Sequence, residues 1–138
     1  MRVVADTSTV VSGLMWWGKP RQVLDATRAH TISLFTSAAL LAELEDVLNR
    51  EKFARRLALV GHTPCDLVLG YAALTTIVTP AVIPPVVLVD PDDDTVLACA
   101  VAASAEVVVS GDSHLLALKK YRDIPILTAA ELLERIAV

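Results

Sequence analysis

The sequence predicts an α/β fold: a three-layer α/β/α sandwich with a central, mainly parallel sheet, built by residues 1–138 as a single domain. Three observations carry that expectation. Short runs of Val, Leu and Ile alternate along the chain with segments of helical periodicity. Hydrophobic residues make up 54% of the chain and aromatics only 4%, so aliphatic side chains must fill the core, as they do where a sheet is buried on both faces. A chain of 138 residues can also bury one such core without disulfides or a structural metal.

The elements follow in order. Val3 to Ala5 reads as the first strand, and a helix is expected from Thr7 to Trp17, broken by Gly18. Pro20 opens a second helix to His30, its missing N–H harmless near a helix start. Ile32 to Thr36 is the second strand. Ser37 caps a helix to Glu51, on which Leu40, Leu41, Leu44, Val47 and Leu48 form one apolar stripe. Residues Lys52 to Val60 continue helically to Gly61, and Pro64 starts a helix ending near Thr76. Pro80, Pro84 and Pro85 bar a central strand from Ile77 to Val89, leaving short extended pieces, with a strand at Ile77 to Val78. Asp92 to Asp94 precede a helix from Thr95 to Ser104, followed by a strand at Val107 to Val109 and a short helix from Ser113 to Lys119. Ile124 to Leu127 is the last strand and Thr128 to Ala137 the last helix.

Cys65 and Cys99 lack CxxC spacing and read as reduced, buried small hydrophobes. Met1 to Asp6 offer no basic or long apolar leader, and the greasiest run, Val96 to Val109, falls short of the roughly 20 residues of a membrane helix, so a cytoplasmic protein with no membrane partner is expected. The mean hydropathy of +0.57 is therefore assigned to core or interface. A formal charge of -4 excludes a protein that coats nucleic acid by charge alone. It leaves room for a nuclease whose acids are metal ligands.

Asp6, Glu43, Asp94 and Asp112 are the candidate site. Asp6 directly follows the first strand, and Asp112 follows Val107 to Val109 with Ser110 close enough to orient a ligand carboxylate. Sheets of this class place ligands at such strand exits. Glu43 flanks the apolar stripe of its helix, and Asp94 shares a face with Leu97, Ala98 and Val101. Each acid alone has a plainer role: a helix cap for Asp6 or Asp112, a core-edge stem for Glu43, an acidic cap cluster with Asp92 and Asp93. Together they repel, by about 4 kcal/mol for two charges 4 Å apart at an effective dielectric near 20, and such a cluster persists by taking up protons or a cation. All-oxygen ligands favour Mg²⁺ or Mn²⁺, and hard metals favour phosphodiester chemistry.

The segments VVADTSTVVSGL, LLAELEDVL and DPDDDTVLACAVAASAEVVVSGDSHLLAL resemble the PIN-domain family, in particular its VapC-like toxins of toxin-antitoxin modules. The resemblance spans nearly the whole chain. It implies a PIN fold, a Mg²⁺- or Mn²⁺-dependent endoribonuclease, a homodimer and a cognate antitoxin. By position it assigns Asp6, Glu43, Asp94 and Asp112 as catalytic metal ligands, with Ser110 as the hydroxyl partner of Asp112; Asp93, an alternative beside Asp94, and His114, which departs from the acid or Asn of many members, are supporting candidates. Arg50, Lys52, Arg55 and Arg56 are candidates for guiding RNA, and Trp16 or Trp17 for stacking a base or filling a partner groove, although at least one of the two is expected in the core. Alternatives are a PIN module without catalysis serving as a regulatory subunit, a PIN nuclease of general RNA processing, and a phospho-receiver domain. The last needs an acidic pair after the first strand and a mid-chain acceptor Asp, neither of which is present.

Overall fold

The computed structural model describes residues 1–88 and 90–137, so the end of the extended stretch at Val89 and the terminal Val138 lie outside the described residues. Its strands are β1 (Arg2–Ala5), β2 (Ser33–Thr36), β3 (Thr76–Ile77), β4 (Val107–Val109), β5 (Lys120–Tyr121) and β6 (Ile124–Leu127). They form one sheet in the order β3-β2-β1-β4-β6-β5. All pairings are parallel except β5 with β6. The helices are α1 (Thr7–Met15), α2 (Lys19–Arg28), α3 (Ala38–Leu48), α4 (Ala54–Val60), α5 (Pro64–Leu74), α6 (Pro91–Ala102), α7 (Ser113–Leu118) and α8 (Ala129–Ile136).

Strand alternation makes the three layers. Val3, Leu34, Val107 and Val109 pack with α1, α2, α3 and α8 on one face. Val4, Phe35, Val108 and Ile126 pack with α6 and Leu115 of α7 on the other. Successive residues of one strand thus enter opposite cores, and the strands read as continuous apolar runs. Because β2 and β4 flank β1 on opposite sides, the chain reverses its direction of sheet growth there, and the exits of β1 and β4 bound a crevice.

Local signals account for most boundaries. Ser37 caps α3 by accepting from Leu40 N at 3.3 Å, and Thr63 and Thr128 make reciprocal capping boxes with Asp66 and Glu131. Those bonds hold the Asp66 and Glu131 carboxyls below their ordinary range. Gly61 ends α4 at φ 74°, in the left-handed region. Gly13 serves packing: a Cβ there would stand 2.9 Å from Leu24 Cδ1 and 3.0 Å from the Pro20 carbonyl oxygen, so its absence lets α2 close on α1.

Several expectations are corrected. α1 stops at Met15, with Trp16 extended, and both indoles are on the surface, Trp16 41% and Trp17 80% exposed. α3 ends at Leu48, and a 3₁₀ turn at Glu51–Phe53 precedes α4. Cys65 is exposed; only Cys99 is buried, and burial pushes its thiol up to about 11. The antiparallel β5 was not foreseen. Most consequential, α6 starts at Pro91, four residues before Thr95, with Asp90 as its cap.

No single helix among the described residues is long and apolar enough to cross a membrane; one bent pair, Glu51–Val60 with Pro64–Leu74, passes by length and composition but turns by 73°. Both members bury residues in the core, Leu57 and Tyr71.

The Gly13 contact is testable. Gly13→Ala should lower unfolding stability by about 1–3 kcal/mol through overpacking. Gly70→Ala, in α5 with no atom within 4 Å of the added Cβ, should raise it by about 0.5–1 kcal/mol. Urea unfolding of both variants measures the difference, and equal behaviour would show that α1 and α2 are not tightly docked.

Candidate metal centre

Asp6 is 4% exposed and its carboxylate is held on both oxygens. Oδ1 accepts from Thr9 N at 2.9 Å, making Asp6 the N-cap of α1, and Oδ2 accepts from the Ser110 hydroxyl at 2.5 Å. Ser8 Oγ lies 3.4 and 3.3 Å from the two oxygens. Asp6 N also donates to the Val109 carbonyl at 3.0 Å, so the exits of β1 and β4 stay in register to the site itself.

Ser110 is 1% exposed and couples two of the acids. While its hydroxyl donates to Asp6, it accepts from Asp112 N at 2.9 Å. Asp112 caps α7 with Oδ1, accepting from His114 N at 2.6 Å and Leu115 N at 3.4 Å. The His114 imidazole Nδ1 sits 3.6 Å from the same oxygen. Ligand atoms of Asp93, Asp112 and His114 all lie within 4.8 Å of one another.

The start of α6 decides what its acids do. Three successive residues in the first turn point about 100° apart. Asp94 turns to the preceding loop, where Oδ2 accepts from Val86 N at 3.1 Å and Oδ1 from Val87 N at 2.8 Å. It thereby pins the proline-rich segment. Asp93, 7% exposed, faces the other acids, and its buried Oδ2 has no hydrogen-bond partner among the described residues. The structure thus differs from the sequence reading, which put the Asp94 carboxylate in the cluster and Asp93 in support.

Electrostatics agree with this geometry. Burial, then the negative charges of Asp112, Asp90 and Asp6, push the Asp93 carboxyl up to about 7, with His114 opposing. Glu43, half-buried on α3, is also raised, chiefly by burial, with the Thr7 side chain pulling the other way and Asp92, Asp90 and Asp6 adding repulsion. Asp90 is the functional candidate that sequence reasoning missed; its signal was Asp-Pro, an N-cap followed by proline at the first helical position.

Glu43, Asp90 and Asp92 also line an open cleft of about 380 Å³, together with Trp16, Val47, Arg50, Lys52 and Phe53. Arg50 and Lys52 of the basic run therefore border the site. Arg55 is exposed outside that lining, and Arg56 is occupied in donating through Nε to the Met15 carbonyl at 2.7 Å.

A hard divalent cation fits this donor set: carboxylates held by protein hydrogen bonds, an unpartnered buried carboxylate oxygen, and repulsion that no Lys or Arg pairs with among the described ion pairs. The family model of the PIN domain matches residues 2–114. No curated protein matches the chain.

Metal and protons compete here, with a worked sign. Asp93 ordinarily titrates at 3.8 and in the fold at about 7, so between those values the folded chain holds a proton that the unfolded chain releases. Metal-free stability therefore falls as pH rises through that window. Thermal melts in chelator should give a lower Tm at about pH 8 than at about pH 5, and Mn²⁺ should raise Tm more at the higher pH. A Tm indifferent to both would mean that the acids do not repel.

Proposed function

The chain belongs to the PIN-domain family, whose fold is of the nuclease type, and on that premise we propose that it is a Mg²⁺- or Mn²⁺-dependent endoribonuclease that hydrolyses RNA phosphodiester bonds. The observation that carries the reading is the convergence of Asp6, Asp93 and Asp112 on one strand-exit crevice, with an unpartnered oxygen on Asp93. Asp6, Asp93 and Asp112 would hold the ion, with Glu43 at its margin and His114 beside Asp112. When bound, such an ion neutralises phosphate charge and makes an attacking water more acidic.

The chain's own residues have separable parts in this reaction. Ser110 fixes the Asp6 carboxylate and the backbone of Asp112 relative to each other, so the ligands are placed before any ion arrives. Glu43, with its raised pKa, is suited to accept a proton from the attacking water at its carboxylate. Arg50 and Lys52, which line the same cleft as Glu43, counter the substrate's phosphates. Asp94 acts on the fold through the Val86 and Val87 amides, and this reading replaces it with Asp93 as the third acid.

The resemblance of the acidic segments to VapC-like proteins supports a narrower proposal: the chain is the toxin of a toxin-antitoxin module, acts in the cytoplasm, forms a homodimer and is held by a cognate antitoxin. Exposed apolar side chains on α4 and α5, Leu59 at 73% and Leu69 at 64%, support the existence of a protein partner. A small neighbouring reading frame whose product copurifies with the chain and stops cleavage would bear this out; without one, general RNA processing is the better account.

Cleavage of a defined RNA pool tests the enzyme. Wild type should cut with Mg²⁺ or Mn²⁺ and stop in chelator, and Asp6→Asn and Asp93→Asn should each lose about 100-fold or more while staying folded, since a neutral amide is a far weaker ligand for a hard cation than a carboxylate. Asp94→Asn should instead lose about 1–3 kcal/mol of stability, because an amide cannot accept from both loop N–H groups, and should keep its rate per folded molecule within a few-fold. Cleavage unaffected by chelator would sink the proposal; an inactive Asp94→Asn beside an active Asp93→Asn would restore Asp94 to the site.

A further inference from the structure

We propose that a single water molecule sits in the buried cavity beneath the exits of β1 and β2, bound by the hydroxyls of Tyr71, Thr7 and Thr36, and that through it Tyr71 acts as a positioning residue for Glu43. The water link stands on the cavity; its consequence for Glu43 rests on the nuclease reading.

The starting point is an orphaned group. Tyr71 of α5 is 3% exposed, and its hydroxyl has no hydrogen-bond partner among the described residues. A buried hydroxyl without a partner is costly, and protein interiors satisfy such groups with ordered water. The Tyr71 side chain lines a small cavity together with aliphatic residues and two further hydroxyl-bearing side chains, Thr7 and Thr36, both buried. Its free space of about 10 Å³ is what one water needs and too little for two. A cavity lined by aliphatic groups alone stays dry, whereas three hydroxyls supply the two to four polar partners that an internal water takes.

Thr7 connects this cavity to the site. It is the one residue to line both the cavity and the open cleft where Glu43 stands. Burial raises the Glu43 carboxyl, and the Thr7 side chain opposes that by hydrogen-bonding to it. Thr7 holds this place because Asp6 caps α1, which makes Thr7 the first helical residue and fixes its backbone.

Donors and acceptors then set the direction of the chain. Burial, with Cys99 and Asp6 adding to it, pushes the Tyr71 phenol well above its ordinary value, so it stays protonated and able to donate. A water that accepts from Tyr71 has two hydrogens to give, and Thr7 and Thr36 each carry an oxygen to receive one. The Thr7 hydroxyl has a single hydrogen, and a carboxylate can only accept. With its oxygen accepting from the water, that hydrogen is left for Glu43. Tyr71 thus orients a hydrogen bond it does not itself make, and holds the Glu43 carboxylate ready for the proton of the attacking water.

Tyr71→Phe removes only the oxygen, and the sign of the response separates the readings. Loss of a hydroxyl that truly lacks a partner would raise Tm, whereas loss of one bound to the water should lower it by about 2–6 °C. Thr7→Val should lower Tm similarly and Thr7→Ser should restore it, and the Thr7→Val, Tyr71→Phe double variant should lose less than the sum of the two, since both break one network. In cleavage assays Tyr71→Phe should lower kcat about tenfold with KM within about twofold, and should add nothing in a Thr7→Val background. A crystal structure of the wild type should show one water within about 3 Å of all three hydroxyl oxygens. A raised Tm in Tyr71→Phe, strictly additive losses, a dry cavity, or an unchanged kcat in an active enzyme would overturn the proposal. Non-additive Tm losses in a chain whose wild type never cleaves would support the water link and strike the nuclease reading instead.

Discussion

Repulsion among carboxylates crowded at one sheet edge is the constraint to which the rest of this structure answers, and the Ser110 hydroxyl is where it is managed. That hydroxyl donates to Asp6 Oδ2 and accepts from the Asp112 backbone, so one buried group fixes acids contributed by two strands. Ser110 N, in turn, donates to the Leu127 carbonyl at 2.9 Å, which ties β6 to the same point. Asp6 has a hydrogen bond on each oxygen and keeps a lone pair on each for a cation, whereas one buried oxygen of Asp93 has no partner among the described residues. The site is thus hydrogen-bonded on the β1 and β4 side and electrostatically unsatisfied on the α6 side, a demand that a cation or a proton relieves.

The layers were legible because strand alternation leaves a mark that composition cannot blur: Val3 and Val4, Leu34 and Phe35, Val107 and Val108 each send neighbouring side chains into different cores. Asp6, Ser110 and Asp112 were legible for a related reason, since each lies within three residues of a strand end and the backbone between leaves little freedom. The α6 acids were not. Val96, Leu97, Ala98, Cys99 and Ala100 are all buried, so that helix is apolar nearly all round and its sequence carries no phase from which to choose between Asp93 and Asp94. Only the starting residue sets the phase, and that was encoded in Asp90-Pro91. The surface position of Trp16 was hidden in the same way, because it depends on α1 ending at Met15, two residues earlier than expected.

Asp93 and Asp94 show how adjacent identical residues acquire unlike roles. One retains an unsatisfied oxygen in the acidic crevice, and the other spends both oxygens on the amides of Val86 and Val87. Val87 is buried against the α6 face of the sheet, so the strap that Asp94 holds also closes that core. Function and fold therefore meet within a single helical turn, and neither acid can take the other's place without rotating the helix.

The outermost strands, β3 and β5, are two residues each. A sheet grows between molecules by exposing a run of unpaired backbone at its margin, and two residues offer almost none. The longer strands, with their uninterrupted valines, are shielded behind these stubs. An apolar chain of this kind is thus guarded against filament formation by the brevity of its borders.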